Sequence, residues 1–168
     1  MAKRRIFVDI DGTLAKWQSA NDDDLMAPGF FAGMEQNSTV VEAVKILHGT
    51  KEVEVFSLSA VLPSIYERAK NEKNDWLDRI GIGLDSQHRL FCPCGTDKSA
   101  CVPNGIGEND VLLDDYTFNL NLWSKSGGKG IKLINGVNGT KGSWKGPKVT
   151  MFQSPISLAQ EILAIATA

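Results

Sequence analysis

The sequence predicts an α/β domain, a doubly wound parallel sheet with a small insert after the first strand. Three observations predict it. Short apolar runs of strand length alternate with segments of helical periodicity, the pattern of βαβ units. Several of those runs end in acids or hydroxyls, as strands do when they deliver side chains to the carboxyl edge of such a sheet. The 168 residues, 42% of them hydrophobic, suffice for one domain with a sizeable core.

Residues 4–10 read as a buried strand that runs into Asp9-Ile10-Asp11-Gly12-Thr13. Residues 15–37 show no periodicity and form the insert; its Asp22-Asp23-Asp24 run reads as solvated, and Phe30-Phe31 either cover a site or anchor the insert. A helix follows at 39–48, with capping-box spacing at Thr39 and Glu42. Its apolar stripe is Val40, Val41, Val44 and Leu47, with His48 at the edge and Gly49 as the stop. Residues 53–58 predict a second strand ending at Ser59-Ala60, and Pro63 opens a helix that runs to about residue 80, before Gly81. A strand at 88–92 leads to a loop carrying Lys98. Val111-Leu112-Leu113 is a further buried strand, ending in Asp114-Asp115. Residues 131–134 and 149–152 read as strands. The Gly-, Lys- and Asn-rich segment 127–147, with Asn135-Gly136 and Asn138-Gly139, reads as a surface hairpin. Ser154 and Pro155 start a last helix with Ile156, Leu158, Ala159, Ile162, Leu163 and Ile165 as its apolar residues.

Composition narrows the function classes. A net charge of −2 offers no broad basic surface for extended nucleic acid, and no apolar run approaches membrane-spanning length. Lys3-Arg4-Arg5 precedes a strand rather than a signal-peptide apolar region, so the expected location is cytoplasmic. The three cysteines, Cys92, Cys94 and Cys101, are odd in number and read as reduced thiols rather than as a disulfide framework or a zinc site.

The strand ends carry the chemistry. In extended chain Asp9 and Asp11 point to the same side. With Asp114 they make an oxygen-rich anionic pocket, which suits a hard cation such as Mg²⁺. Ser59 and Lys98 add a hydroxyl and an ammonium, groups that bind phosphate oxygens. Together these residues point to phosphoryl transfer. Asp9, ionised, would attack phosphorus, and Asp11, protonated because a second carboxylate crowds it, would serve as acid and then base.

These residues resemble the four motifs of the haloacid dehalogenase (HAD) superfamily, in order: Asp9-Ile10-Asp11-Gly12-Thr13, Ser59, Lys98 and Asp114-Asp115. The resemblance implies a Rossmann-like core, Mg²⁺ and an aspartyl-phosphate intermediate. It implies Asp9 as nucleophile and metal ligand, Asp11 as acid/base with its backbone carbonyl on the metal, and Asp114 as the third protein ligand. Asp115 would ligate through water or orient its neighbours. Ser59, with Ala60 beside it, and Lys98 would hold the phosphate.

A narrower resemblance is to the 5'(3')-deoxyribonucleotidases. It rests on Phe30-Phe31-Ala32-Gly33-Met34-Glu35, on Glu72-Lys73-Asn74-Asp75-Trp76-Leu77, on Thr96-Asp97-Lys98-Ser99 and on Leu112-Leu113-Asp114-Asp115. It implies a nucleoside monophosphate substrate whose base stacks on Phe30 or Phe31. The sequence departs from that family in a shortened cap, in Ser59-Ala60-Val61 where the family has Thr-Ser-Pro, and in the 127–147 segment. In its compactness, and in Asp115-Tyr116-Thr117-Phe118-Asn119-Leu120, it looks like phage-associated or gut-bacterial members. Another small phosphate ester (a sugar phosphate or a nucleic-acid end) and a binding module without turnover are the alternatives. The oligomeric state is left open, a homodimer included.

Overall fold

The computed structural model describes residues 3–138 and 143–168. Six strands form one sheet: β1 (Arg4–Val8), β2 (Val53–Val61), β3 (Arg89–Pro93), β4 (Asp110–Asp114), β5 (Lys129–Ile134) and β6 (Lys148–Thr150). Their order is β3-β2-β1-β4-β5-β6, and every neighbouring pair is parallel. The helices are α1 (Asp22–Met26), α2 (Ser38–His48), α3 (Tyr66–Ile80), α4 (Thr117–Lys125) and α5 (Pro155–Thr167). The chain steps outward from β1 to β2 and β3, then returns to the other side of β1 for β4 and steps outward again. The order therefore reverses at β1 and β4. In doubly wound sheets the ligand crevice lies outside the carboxyl ends at that reversal, and here those ends carry Asp9 and Asp114.

Alternation along β1 divides the core between two faces. Ile6 and Val8 pack on one side with Val111, Leu113, Ile131 and Leu133, beneath α2, α3 and α5. Phe7 and Leu112 face the other side, under Leu120 and Trp123 of α4 and Trp144. Strands buried on both faces read as continuous apolar runs, which is why β1 and β4 stand out in the sequence. Gly81 ends α3 in the left-handed conformation, at φ 70°. Ser154 caps α5 by accepting from the Ser157 amide, with Pro155 in its first turn. No helix among the described residues is long and apolar enough to cross a membrane.

Several elements differ from expectation. β2 runs on to Val61, because residues 57–61 pair with β3; Ser59 and Ala60 are therefore strand residues. The N-cap of α2 is Asn37, so Thr39 lies inside the helix and makes no capping box with Glu42. The three-residue β6, shorter than the 149–152 expected, pairs parallel to β5. The 127–147 segment thus holds β5 and the start of a crossover to a parallel neighbour, not a hairpin; its Gly139 lies outside the described residues. α4 is absent from the sequence reading because only Leu120 and Trp123 are buried on it, too short a stripe to register as periodic. The acidic run Asp22-Asp23-Asp24 forms α1, capped by Asn21, and stays exposed.

The thiols also differ. Cys92 on β3 pairs with Cys101, at a Cα–Cα distance of 5.7 Å, while Cys94 is free. The turn after β3 (Lys98–Cys101) folds back against the strand it has just left, which spacing alone does not reveal. Alkylation of the denatured, unreduced chain is therefore expected to add one label, and prior reduction should raise that to the three cysteines of the sequence. Three labels without reductant, counted by intact mass, would refute the pairing.

The insert is fastened at both ends and underneath. Ala15 bridges to Gln36, and the Asn37 amide donates to the Leu14 carbonyl at 2.7 Å. Below it, Glu72 of α3 accepts from the amides of Gly29 (2.8 Å) and Phe31 (3.0 Å), and Trp76 Nε1 donates to the Met34 carbonyl at 2.8 Å. A buried indole needs such an acceptor, and the carboxylate satisfies two amides that a loop could not pair by itself.

Candidate active site

The first strand delivers Asp9 and turns at once. Gly12 takes φ +82°, and a Cβ there would sit 2.3 Å from Asp115 Oδ2. Glycine is required twice over, for the conformation and for the space. The turn lets Asp11 leave the line of Asp9. Thr13 and Ala15 amides then donate back to the Ile10 carbonyl, at 3.1 and 2.9 Å.

Asp9, Asp114 and Asp115 form one cluster. They are 5%, 0% and 2% exposed, and each offers an oxygen within 4.8 Å of the others. Lys98, brought in from the turn after β3, lies against two of them. Its Nζ donates to Asp9 Oδ1 at 2.7 Å, Asp114 Oδ2 at 2.8 Å and the Leu58 carbonyl at 3.1 Å. All three ammonium protons are used. Burial works against the charge on Lys98, but Asp114 and Asp9 outweigh it and its pKa rises above the ordinary lysine value. Burial, and then the charge of Asp114, push Asp9 well above the ordinary carboxylate range, with Lys98 pulling the other way. Asp115 is raised to about 7 by burial and by Asp114, against hydrogen bonds from Asn138 and Asn135. One ammonium therefore leaves the negative charge of this cluster only partly relieved.

Asp11 stands apart from that cluster. Its Oδ2 accepts from Lys73 Nζ at 2.5 Å and lies 3.3 Å from Ser59 Oγ. Lys73 is buried on α3 and donates also to Ser59 Oγ (2.8 Å) and the Ala60 carbonyl (2.9 Å). The expected crowding of Asp11 by a second carboxylate is not what its side chain meets. Crowding falls on Asp9, and Asp11 is ion-paired. Asp115, expected behind the cluster, is part of it.

The predicted residues thus fall into two adjoining groups: Asp9, Lys98, Asp114 and Asp115 around the acids, and Asp11, Ser59 and Ala60 around Lys73. Above them lies a cavity of about 710 Å³, with Asp11, Lys73 and Asp115 among its polar residues. Phe30 and Phe31 line it, packed edge to face at 5.1 Å; Phe31 is buried, with the Lys73 ammonium 4.7 Å from its ring centre. Trp17, Tyr116 and Phe118 line it too, all exposed.

Sequence reading missed Lys73, Asn119, Asn135, Asn138 and these three aromatics. Asn119 Nδ2 donates to Asp114 Oδ2 at 3.0 Å, one helical turn beyond the acid pair. Lys73 lies on α3 between Glu72 and Trp76, the two residues that hold the insert, a relation visible only once the fold is known.

The chain has the fold of the HAD-like phosphatases. Two D,D-heptose 1,7-bisphosphate phosphatases superpose along nearly the whole length. The one from B. bronchiseptica, complexed with magnesium and phosphate, has a TM-score of 0.63 at 16% identity, covering 96% of this chain and 98% of that one. The one from Burkholderia thailandensis has a TM-score of 0.62 at 12% identity, covering 96% and 99%. A Mesorhizobium loti protein described as a HAD-like phosphatase gives 0.56 at 13% identity, covering 98% and 87%. No family model and no curated protein sequence matches the chain.

Proposed function

We propose that this protein is a Mg²⁺-dependent phosphomonoesterase that works through an aspartyl-phosphate on Asp9, with nucleoside monophosphates as substrates. The observation that carries the reading is the meeting of Asp9, Asp114, Asp115 and Lys98 at the reversal of a doubly wound sheet, below the cavity. Three buried carboxylates with one lysine between them suit a hard divalent cation. Asp9, Asp114 and Asp115 would hold it, and when bound it supplies positive charge opposite the phosphoryl oxygens.

The protein's own groups divide the remaining work. Ala60 and Lys73 line the cavity where phosphate oxygens would lie, with Ser59 and Lys98 buried behind them, and the two ammoniums would offset the phosphate charge. The Asp9 carboxylate attacks phosphorus, and the bond from phosphorus to the ester oxygen breaks. Asp11, once Lys73 has been drawn away and its carboxylate has taken up a proton from solvent, gives that proton to the leaving oxygen, and in the second step takes one back from the water that cleaves the aspartyl-phosphate. Lys73 holds Asp11 in the free protein. Arriving phosphate oxygens compete for that ammonium and leave the Asp11 carboxyl free to act. Residues 15–37 act as a reduced cap.

The aromatic lining favours a flat leaving group over a sugar. Trp17, Phe30, Phe31, Tyr116 and Phe118 line the cavity with aromatic side chains, which suits stacking on a base. Phosphate release from a panel of deoxynucleoside monophosphates and sugar phosphates, with and without EDTA, tests this. Expected is EDTA-sensitive hydrolysis, with kcat/KM at least about tenfold higher for nucleotides, as a hydrophobic contact of 1–3 kcal/mol allows. No cleavage of any nucleoside monophosphate in the presence of Mg²⁺ would overturn the substrate reading.

A further inference from the structure

The loop after β5 reaches back over the acid cluster, and the proposed chemistry makes no use of it. Asn135 Nδ2 donates to the Gly12 carbonyl at 2.8 Å and to Asp115 Oδ2 at 3.0 Å. A carboxamide nitrogen has two hydrogens, so both bonds form at once. Its Oδ1 accepts from the amides of Val137 (2.9 Å) and Asn138 (3.0 Å), which closes the loop into an Asx turn. The turn aims Asn138 at the same place, and Asn138 Nδ2 also donates to Asp115 Oδ2. One carboxamide thus joins three segments distant in sequence: the turn after β1, the acid pair after β4 and the loop after β5. A carboxylate gripped at one oxygen by two donors cannot rotate without breaking both bonds.

The pattern asks specifically for asparagine. Turn closure needs only an acceptor, which aspartate supplies as well and serine more weakly. The bonds to Gly12 and Asp115 need a donor at the other end of the same side chain. Asn-Gly reads as a hairpin turn, yet β5 and β6 are parallel and no hairpin is there to close.

We propose that Asn135, seconded by Asn138, is a positioning residue that orients Asp115 and fixes the Asp11-Gly12 turn for divalent-cation binding. The proposal rests on the reading of Asp9, Asp114 and Asp115 as a Mg²⁺ site. Groups that orient ligands in this way are worth about 10–100-fold in metal affinity. The test uses Mn²⁺ as probe, titrated into the full chain and followed by the EPR signal of free ion. Asn135→Ser keeps the turn-closing oxygen and loses the donor. It should bind Mn²⁺ about 10–100-fold more weakly, with kcat recovered at saturating Mn²⁺ and the metal-free melting temperature nearly unchanged. Asn138→Ala, which leaves the Gly12 bond intact, should show a smaller loss in the same direction. Val137→Ala, on the same loop with its side chain in solvent, should bind as wild type does.

Mn²⁺ binding within twofold of wild type in both asparagine variants would overturn the proposal while leaving the metal site standing. So would an equal loss in Val137→Ala, which would mark a general loosening of the loop. Failure of the wild-type protein to bind Mn²⁺ would overturn the metal reading and this proposal with it.

Discussion

Asp9→Asn is expected to lower kcat by roughly four orders of magnitude or more, the scale on which removal of a nucleophile acts, while the fold survives intact. The two halves of that expectation have one cause. Asp9 is almost wholly buried, and burial together with the charge of Asp114 raises its pKa well above the ordinary range. An acid whose folded-state pKa is raised costs stability whenever it is ionised. Asparagine has the same shape, and its amide oxygen can still accept from Lys98 Nζ, now 2.7 Å from Asp9 Oδ1. It removes one negative charge from a cluster that a single lysine only partly relieves. The metal-free melting temperature should therefore stay level or rise. Phosphate release at saturating Mg²⁺ and calorimetry without metal, on the same preparation, check both halves. Activity within about 100-fold of wild type would remove Asp9 from the nucleophile's role, since uncovered catalysis by the remaining groups is far smaller than that. A fall in melting temperature would mark Asp9 as a structural acid held by Lys98.

The sheet was legible where burial on both faces writes a continuous apolar run, as in Ile6-Phe7-Val8 and Val111-Leu112-Leu113. It was legible again where an acid interrupts the run, as at Asp9 and Asp114. Pairing direction left no such mark at the other end of the sheet. Asn135-Gly136 is a hairpin signature by composition, and only the placement of β6 beside β5 shows that the loop does other work. Within the site, residues on the sheet's carboxyl edge could be found because strand ends are points of fixed position. Lys73 could not, because its Nζ reaches Asp11 across 62 residues of separation, and nothing in a helical stripe says which polar neighbour of a buried face points inward. The Cys92–Cys101 pair failed for the same kind of reason. Counting cysteines tests for a framework, whereas proximity depends on how the Lys98 turn folds back. The side chain beside Asp11 is also not the one that strand alternation suggests. Residues two apart in a strand share a side, but Gly12 breaks the strand geometry at once. Asp11 follows the turn toward α3, and the crowding passes to Asp9 and Asp114.

Gly12→Ala should then be among the most damaging Gly→Ala changes at the described residues. Two costs add. The first is conformational: φ +82° puts an alanine in the left-handed region, worth about 1–2 kcal/mol. The second is spatial. The new Cβ would lie 2.3 Å from Asp115 Oδ2, and that oxygen cannot retreat without giving up Asn135 and Asn138. Either the Asp11 turn or the acid pair must move, so loss of activity and loss of stability should arrive together. A destabilisation of about 2–4 kcal/mol fits a strained, displaced site of this kind, and kcat/KM should fall by at least about 100-fold, as misplacement on the ångström scale does. Gly81→Ala separates the two costs. Its φ of +70° is comparable, yet nothing lies within 4 Å of the added Cβ. It should show the conformational cost alone, about 1–2 kcal/mol, or a fall of a few degrees in melting temperature for a chain of this size, with turnover unchanged. If the two variants melted alike and both kept full activity, the contact between Gly12 and Asp115 would carry no energy, and the coupling of the first strand's turn to the acid pair would have to be abandoned.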